Sequence, residues 1–310
     1  MKLMTTVALL GLGLLSCGPM ARAAAITAAF IFSNGVFTTI NFPGATTTTA
    51  TGINNAGQIV GTYYDVAGNP HGFLDTNGVL TTITFPGSSN TQPFGINNAG
   101  QISGSYFDIA GHQHGFLDTN GVFTTIDFPG ATGTGAGGIN DAGQIVGSYS
   151  IVGNSSNFGF LDTNGVFSMI DVPGSIYTAV YGINNGGQIV GNYYGTSQGG
   201  AFLDVNGVFT TIDVPGSIGG GEAFGINNAG QIVGRYPTAT SEHGFLDTNG
   251  VFTAIDDGSF GTEAFGTNDA GEIVGFFSGG SPIPEPASML LLACGLAGLA
   301  ILSNQLRHSK

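Results

Sequence analysis

The chain repeats one segment six times, and this repeat constrains its fold more than any other feature. The segment reads approximately GINNAGQIVGSYYD, a variable loop, HGFLDTNGVFTTIDFPG and a second variable stretch, with a period of 41 to 44 residues. Its GIN element, altered to GTN in the last copy, begins at Gly52, Gly95, Gly138, Gly182, Gly225 and Gly266. Its NGVFTTI element begins at Asn34, Asn77, Asn120, Asn164, Asn206 and Asn249. A period of about 40 to 50 residues made of short apolar runs is typical of a propeller-type array.

Each repeat carries two turn sequences, Asn54–Gly57 and Asp75–Gly78 in the first full copy. Asn and Asp tolerate left-handed backbone and Gly adopts a positive φ without a Cβ clash, so both tetrads predict tight hairpin turns. Two hairpins make four strands per repeat. In the second copy we expect strands at about Phe94 to Ile96, Gln101 to Tyr106, Gly115 to Leu117 and Val122 to Asp127.

These strands predict an all-β fold, a six-bladed β-propeller with four short strands per blade. A sheet of about 43 residues buries too little surface to fold alone, so each sheet must pack against its neighbours, and ring closure removes the exposed ends of the stack. The predicted organisation is a signal peptide at 1–24, the propeller at 25–278, a Gly/Pro stem at 279–288, and a hydrophobic helix with a basic tail at 289–310.

The order of elements resembles a kelch-type blade, in which a glycine ends the second strand. The glycines in question are Gly61, Gly104, Gly147, Gly191, Gly234 and Gly275. The chain lacks the paired glycines and the Trp of that family, so only the layout carries over. The amino-acid sequence of the repeat, from Phe30 to Phe277, more closely resembles the HAF-type extracellular repeat. That resemblance implies a secreted bacterial protein and no established activity.

Two blade frames fit the sequence. Phe30 to Phe32 and Val36 to Ile40 match third and fourth strands, while Gly266 to Phe277 supplies only a first and a second. If the inner strand holds the GIN element, the two chain ends share the last blade and latch the ring. If blades begin at the HGF strand, six uninterrupted blades form without a latch. The long FPGATTTTAT-type connector suits a crossing from an outer to an inner strand and favours the latch.

The N-terminus has the layout of a cleaved secretory signal. Lys2 precedes an apolar run from Val7 to Leu15 and a small-residue stretch at 21–24, and we expect a signal helix cut after Ala23 or Ala24. Leu14-Leu15-Ser16-Cys17 also fits a lipoprotein signal, which would leave Cys17 as a lipidated N-terminus.

At the C-terminus, the tripeptide Pro284, Glu285 and Pro286 precedes an apolar run at 289–302 and a tail containing Arg307 and Lys310. This order resembles the PEP-CTERM sorting signal of Gram-negative bacteria. The resemblance implies an exosortase-type processing enzyme as a partner and attachment to the inner membrane before processing. An ordinary anchor is the alternative, although the apolar run of 14 residues is short of the roughly 20 that span a bilayer.

Charge excludes one class of partner. Between the two terminal signals the chain has 18 Asp and Glu, no Lys and only Arg235, so its net charge is near −17. Such a surface repels phosphate backbones and releases no counterions from them, which excludes nucleic-acid binding. Cys17 and Cys294 both lie in the signals, so the repeat domain has neither a disulfide nor a thiolate site.

In a four-stranded meander, the NNAG and DTNG turns share one rim and the variable stretches share the other. The variable stretches are Tyr64 to Pro70, Phe107 to Gln113, Ser150 to Asn157, Tyr194 to Gly200 and the class of Ala45 to Thr51. The variation indicates either a binding face or drift in unconstrained loops. The candidate ligand-contact aromatics, for an extracellular glycan, are Tyr64, Phe107, Tyr177, Tyr181 and Tyr194.

No pattern predicts a catalytic residue, a cofactor or a metal site. Asp75 and its copies Asp118, Asp162 and Asp247 are single carboxylates in turns, which favours turn capping over calcium binding. His71, His114 and His243 recur on separate blades, so they are not expected to gather around a metal. We therefore expect an exported surface or exopolysaccharide-associated structural or recognition protein, and not an enzyme. The alternative is a polysaccharide hydrolase or lyase with its site in the propeller channel.

Overall fold

The computed structural model describes residues 28–153, 157–195, 199–258 and 261–277. These residues form 24 strands in six antiparallel four-stranded sheets, and the inner strands of successive sheets contact one another in a closed ring. The all-β, six-bladed propeller is therefore confirmed. The predicted signal helix and C-terminal hydrophobic helix lie outside the described residues. Within the described ranges there is no helix long and apolar enough to cross a membrane.

The strands follow the chain in order. The first two are β1 (Ala29–Ser33) and β2 (Val36–Ile40). Blade 1 comprises β3 (Thr47–Ile53), β4 (Ile59–Tyr64), β5 (Pro70–Thr76) and β6 (Val79–Ile83). Blade 2 comprises β7 (Asn90–Ile96), β8 (Ile102–Phe107), β9 (Gln113–Thr119) and β10 (Val122–Ile126). Blade 3 comprises β11 (Gly133–Ile139), β12 (Ile145–Ser150), β13 (Asn157–Thr163) and β14 (Val166–Ile170). Blade 4 comprises β15 (Ser175–Ile183), β16 (Gln188–Gly195), β17 (Gly199–Val205) and β18 (Val208–Ile212). Blade 5 comprises β19 (Glu222–Ile226), β20 (Ile232–Pro237), β21 (Glu242–Thr248) and β22 (Val251–Ile255). The last two strands are β23 (Thr262–Thr267) and β24 (Ile273–Phe277).

Blade 6 is shared by the two ends of the described chain. Its strand order from the outside inward is β2, β1, β24 and β23. Phe30 of β1 pairs with Gly275 of β24, and the Phe277 amide donates a hydrogen bond to the Ala28 carbonyl at 3.0 Å. The latch frame is thus confirmed, and the frame of six uninterrupted blades is wrong. The direct neighbour of β24 is β1, with β2 outermost.

The predicted turn chemistry is also confirmed. In the outer hairpin of every blade an Asn adopts a positive φ of 51 to 55°, followed by a Gly with a φ of 80 to 84°. The Asp75 carboxylate caps this turn by accepting the Gly78 amide at 2.7 Å, and the same bond recurs at Asp118, Asp162 and Asp247. Asp204 makes a fifth cap to Gly207 that the sequence reading had missed.

Each blade is centred on a glycine paired with a phenylalanine. In blade 1, Gly61 of β4 lies opposite Phe73 of β5, and a Cβ on Gly61 would come within 2.7 Å of the phenyl ring. The six phenylalanines at this position are almost completely buried: Phe30, Phe73, Phe116, Phe160, Phe202 and Phe245. Gly61 is the third residue of β4 and does not end it, so that detail of the kelch-type expectation is wrong. The glycine is needed because a Cβ at this position would collide with the Thr49 carbonyl oxygen as well as with the Phe73 ring.

The first strands are longer than the sequence suggested. The stretch of blade 1 expected as a connector from Ala45 to Thr51 is largely strand, because β3 already begins at Thr47. Thr48 and Ala50 alternate inward and are buried, whereas Thr49 and Thr51 face the propeller axis and line a central cavity. The alternation of buried and exposed residues is not visible in the sequence here, because both sets consist of small or polar residues. The variable residues therefore lie on the channel wall as well as on the rim.

Candidate functional site

The rim that carries the NNAG turns is closed by a ring of buried asparagines. The Asn54 amide donates to the Asn97 carbonyl of the next blade at 3.1 Å, and the Asn268 amide returns to the Asn54 carbonyl at 3.1 Å. The same bond joins every pair of neighbours around the ring: Asn54, Asn97, Asn140, Asn184, Asn227 and Asn268. The oxygen of each side chain caps its own turn, as when Asn54 Oδ1 accepts the Gln58 amide at 3.0 Å. The inner ring thus holds the turns and joins the blades at once.

A second, outer ring lies on the same rim and contains two carboxylates. Its members are Asn55, Asn98, Asp141, Asn185, Asn228 and Asp269. The backbone amide of each donates to the side-chain oxygen of the next at 2.8 to 2.9 Å. Asp141 and Asp269 are three blades apart and so lie opposite each other. This rim is called the closed rim below.

Each carboxylate of the outer ring accepts amide protons from both neighbouring blades. Asp141 Oδ2 accepts from Asn98 Nδ2 at 2.8 Å and from Asn185 Nδ2 at 2.7 Å. Burial would by itself raise the pKa of Asp141, but these bonds and the Asn98 backbone amide outweigh burial, and the pKa lies below its ordinary value. The Asp269 pKa is lowered in the same way by Asn228 and Asn55. In the outer ring, the side-chain amides of the four asparagines therefore donate to the carboxylates of the two aspartates.

A ring of glycines narrows the axis beneath these two rings. The glycine that begins each GIN element lies close to the corresponding glycine of the next blade. A Cβ on Gly95, for example, would be 3.0 Å from the Gly138 Cα. The same close approach continues around the axis, and a Cβ on Gly266 would be 3.1 Å from the Gly52 Cα. Only a cavity of about 70 Å³ lies among the asparagine rings. The channel is consequently constricted at the closed rim.

The opposite rim, here called the open rim, leads into a central cavity of about 420 Å³. Its size is within the range of about 300 to 1,000 Å³ usual for small-molecule sites. The cavity walls are formed mainly by β3, β7, β11 and β15 and by the second strands of blades 1 to 3. Their polar members are Thr49, Thr51, Thr62, Gln92, Ser105, Gln113, Ser148 and Asn157. The described lining contains no Asp, Glu, Lys, Arg or His.

Bulges in the inner strands aim side chains into this cavity. The pairing register slips just before the GIN glycine in every blade, for example between Ala50 and Gly52 in blade 1. A bulge of this kind leaves one residue outside the ladder and redirects its side chain. The residues at that position are Thr51, Phe94, Gly137, Tyr181, Phe224 and Phe265. All six contribute to the cavity lining.

The bulge residues divide the cavity into two unlike halves. Tyr181, Phe224 and Phe265 form an aromatic arc across blades 4 to 6, with ring centroids 5.2 Å and 4.8 Å apart. Blade 3, opposite Phe265, presents Gly135 and Gly137 instead. Burial raises the pKa of Tyr181 well above its usual range, so this phenol stays neutral. The open space of the cavity is thus displaced toward the glycines of blade 3.

The aromatic arc is supported by Arg235 and three glutamates. Arg235 Nε lies 2.7 Å from Glu222 Oε2, and its Nη1 lies 3.0 Å from Glu242 and 3.1 Å from Glu263. The guanidinium is also 5.9 Å from the centre of the Phe224 ring. Burial raises the pKa of Glu263, although Arg235 opposes that effect. One cation therefore holds three carboxylates together beside the cavity.

Three of the five predicted ligand-contact aromatics line the cavity, namely Tyr64, Tyr177 and Tyr181. Tyr194 is outside the lining but close to it, because its ring centre is 5.6 Å from that of Tyr177 and its hydroxyl donates to Glu222 at 3.2 Å. Phe107 ends β8 and does not contribute to the lining. The sequence reading missed Phe94, Phe224 and Phe265. The missed signal was the variable residue directly before each GIN glycine.

The repeated histidines serve the packing of separate blades. His71 lies 3.2 Å from Asp65, His114 lies 2.9 Å from Asp127, and His243 lies 2.7 Å from Asp256. Each also packs against a tyrosine ring, with centroids 5.1 to 5.5 Å apart. In the parts of the chain that the structure describes, no group of three His, Cys, Asp or Glu is arranged to hold a metal ion. The residues of the predicted sorting signal lie outside the described residues: Pro284, Glu285, Pro286, Arg307 and Lys310.

Comparison with known proteins gives similarity of fold alone. No family model and no curated protein sequence matches the chain. The structure is similar to TolB from Acinetobacter baumannii, with a TM-score of 0.54 and 11% identity over 83% of this chain and 65% of that one. It is also similar to a putative TolB from Agrobacterium tumefaciens, with a TM-score of 0.54 and 12% identity over 82% of this chain and 99% of that one. A lectin from Aleuria aurantia aligns with a TM-score of 0.48 and 14% identity, over 76% and 89% of the two chains. The chain spans about 65% of the length of the Acinetobacter protein.

Proposed function

We propose that this is an exported surface or exopolysaccharide-associated recognition protein that is sorted by its C-terminal signal and has no catalytic activity. The observation that carries the recognition role is the contrast between the two rims. The closed rim repeats the same hydrogen bonds in all six blades, whereas the cavity at the open rim is lined by a different set of residues in each blade. A uniform array needs no such asymmetry for its own stability, and binding residues are concentrated on variable segments that a rigid scaffold positions.

The alternative function, a hydrolase or lyase acting on polysaccharide in the channel, would use the glutamates beside the cavity. Hydrolysis of a glycosidic bond normally needs a carboxylic acid and a carboxylate on opposite sides of the scissile bond. Here Glu222 and Glu263 are both held by Arg235, and neither belongs to the cavity lining. This arrangement favours a supporting role for the glutamates.

Catalysis and recognition can be separated by one assay. The full chain is incubated with neutral and anionic polysaccharides, and release of reducing ends or of unsaturated products is followed. We expect no turnover. Turnover that is lost in Glu263→Gln while the variant remains folded would establish the enzymatic alternative.

Export and sorting are tested by intact-mass analysis of the protein taken from the surface of the original host. We expect loss of residues 1–24, and loss of everything after the Pro-Glu-Pro region, including Cys294 and the basic tail. A sorting-competent host is required, because a strain without the processing enzyme would keep the tail in either case. Retention of Arg307 to Lys310 in most surface molecules would mean a plain anchor, and residence in the cytoplasm would refute the proposal.

A further inference from the structure

We propose that the central cavity is a blind pocket for the terminal sugar of a neutral glycan, with the sugar ring seated against blade 3. The inference rests on the proposed function as an extracellular recognition protein, and it adds the class of ligand, the part of the ligand that binds and the residues that select it. Three features of the cavity lead to it: its uncharged lining, its position off the axis and its constricted end.

The lining selects for an uncharged ligand with many hydroxyl groups. On blades 2 and 3 its polar side chains are five amides or hydroxyls, Gln92, Ser105, Gln113, Ser148 and Asn157, and blade 1 adds further hydroxyls. Each of these groups can both donate and accept hydrogen bonds. Gln113 Nε2 already donates to Ser105 Oγ at 3.3 Å, so these two groups are oriented along one wall. A sugar ring offers several adjacent hydroxyls to such a wall.

The aromatic arc supplies the second element that a sugar requires. A pyranose has an apolar face of C–H groups, which packs against aromatic rings. Tyr177 and Tyr181 lie on blade 4, next to the glycines of blade 3, and Phe224 and Phe265 continue the aromatic surface. The side formed by blades 4 to 6 is therefore mainly aromatic, and the opposite side carries the amides and hydroxyls together with Phe94. A ligand with one apolar and one hydroxylated side fits this arrangement.

Negative charge around the pocket excludes anionic sugars. Glu222, Glu242 and Glu263 surround a single Arg235, so this cluster has an excess of two carboxylates. No cation among the lining residues is available to pair with a carboxylate or sulfate on the ligand. Burial of an unpaired anion in such a site is strongly unfavourable. A uronate should therefore bind far more weakly than the corresponding neutral sugar.

Gly135 determines where the sugar ring can sit. The equivalent position, three residues before the GIN glycine, is Thr49, Gln92, Ala179, Glu222 or Glu263 in the other blades. A Cβ on Gly135 would meet Ser105 Oγ at 3.2 Å and Gln113 Nε2 at 3.3 Å, which are the ends of side chains that can move. The fold therefore accepts a side chain at this position, and its absence in blade 3 leaves the pocket open there.

The constricted end of the pocket restricts binding to chain ends. The glycine ring and the two asparagine rings narrow the axis at the far rim to a cavity of about 70 Å³, so we expect that a polysaccharide does not thread through the propeller. Only a free sugar or the last residue of a chain can reach the base of the cavity. Each glycan chain should consequently offer one binding site per accessible end, whatever its length.

The experiment uses the full chain purified in a detergent without a sugar headgroup. The probes are methyl pyranosides of glucose, galactose, mannose, fucose and N-acetylglucosamine, compared with glucuronate and glucosamine. Binding is measured by saturation-transfer NMR and by isothermal titration calorimetry. We expect at least one neutral sugar to bind, and glucuronate to bind at least tenfold more weakly. Linear oligomers of the sugar that binds should titrate in proportion to the number of chains and not to the number of residues.

The decisive variant is Gly135→Gln, which gives blade 3 the residue that blade 2 carries at Gln92. It should lower the affinity for the sugar by at least tenfold and leave the melting temperature within a few degrees of wild type. The matched control is Thr253→Gln, on the exposed outer strand of blade 5, which should change neither quantity.

Equal affinity of wild type and Gly135→Gln, with both folded, would overturn the placement of the ligand. Stronger binding of glucuronate than of neutral sugars would overturn the ligand class, and a stoichiometry that scales with residues would overturn end recognition. Absence of binding to all neutral sugars would overturn the inference as a whole. The proposed function has its own separate test in surface export and tail removal, which none of these results affects.

Discussion

Gly147 on β12 lies directly opposite Phe160 on β13, and the phenyl ring covers the face of the glycine where a side chain would be. A Cβ at this position would lie 2.8 Å from the Phe160 ring and would also collide with the Gly135 carbonyl oxygen. The same pair recurs in all six blades, including Gly275 and Phe30 across the junction of the chain ends. Close packing of ring on backbone is therefore the unit from which each blade is built.

Gly147→Ala should destabilise the protein by about 3 kcal/mol, at the upper end of the range for overpacked cores, because the backbone carbonyl cannot move away. The measurement is equilibrium urea unfolding. Gly200→Ala, in β17 at a position without a positive φ where a Cβ would meet only Thr211 Cγ2 at 3.8 Å, controls for the entropy of replacing a glycine. Adding Phe160→Leu should not rescue Gly147→Ala, since the carbonyl clash remains. Full rescue would contradict the backbone collision.

Asp141→Asn should destabilise the closed rim although the change is isosteric. The new amide would face the amide donors of Asn98 and Asn185 in place of the carboxylate oxygen that accepts both. Because the ring is partly exposed and solvent screens it, we expect a loss of only about 1 kcal/mol. Asp269→Asn should behave alike, and Asp213→Asn, at an exposed carboxylate outside the ring, serves as the comparison. Unchanged stability in both ring variants would mean that the amide bonds do not contribute.

Asp141 and Asp269 make a pH-dependent contribution to the free energy of unfolding. Their folded-state pKa values are lowered from 3.8, so the stabilisation is present above pH 3.8 and is lost as the pH falls below it. Glu263 acts in the opposite direction because its pKa is raised. The difference between wild type and Asp141→Asn isolates the ring. This difference should shrink as the pH falls from 5 to 2, and a constant difference would refute the assignment.

Arg235→Met should leave three glutamates without their shared cation and destabilise the fold by about 2 to 4 kcal/mol at pH 7. Glu263 then has a raised pKa with no opposing charge, so the variant should regain stability as the pH falls through the range just above 4.5. Thermal melts at pH 7 and pH 5 measure the effect. Equal losses at both pH values would show that packing of the Arg235 side chain, and not its charge, supports the cluster.

Deletion of residues 28–40 should open the ring, because blade 6 would lose β1 and β2 and expose the edge of β24. Size-exclusion chromatography with light scattering should then show aggregates. A synthetic peptide of residues 28–40 added during refolding should restore the monomer, and a scrambled peptide should not. A monodisperse deletion variant would contradict the latch.

The fold was predictable from the sequence because its determinants are local and repeated six times. The turns such as Asn77-Gly78 indicate which strands pair in a hairpin, and the incomplete repeats at each end indicate the shared blade. Strand length was not predictable in the same way: the third strand of blade 2, expected from Gly115 to Leu117, extends over Gln113–Thr119. Residues such as Asn54 and Gly52 were recognised only as turn and strand residues. Their contacts are with the next blade, and a pattern within one repeat carries no information on what lies beside it.

The cavity was predicted only in part, for a related reason. Tyr64, Tyr177 and Tyr181 were identified by their type and by variation between repeats. Phe224 and Phe265 were not, because an aromatic residue before a strand glycine usually belongs to the core. Only the register slip at the bulge turns these side chains to the axis, and the sequence of a single repeat does not show that slip. Gly135 escaped notice because a site made by an absent side chain leaves no residue to single out.

The direction of β24 has a consequence for how the molecule is presented. β23 runs to the closed rim, so β24 runs back and ends with Phe277 at the open rim, beside Ala28, where β1 starts. The described repeat domain therefore begins and ends at the same rim as the mouth of the cavity. Under the proposed sorting by a C-terminal signal, the tether would be attached at the rim that carries the mouth of the cavity, and its removal would leave that rim unattached.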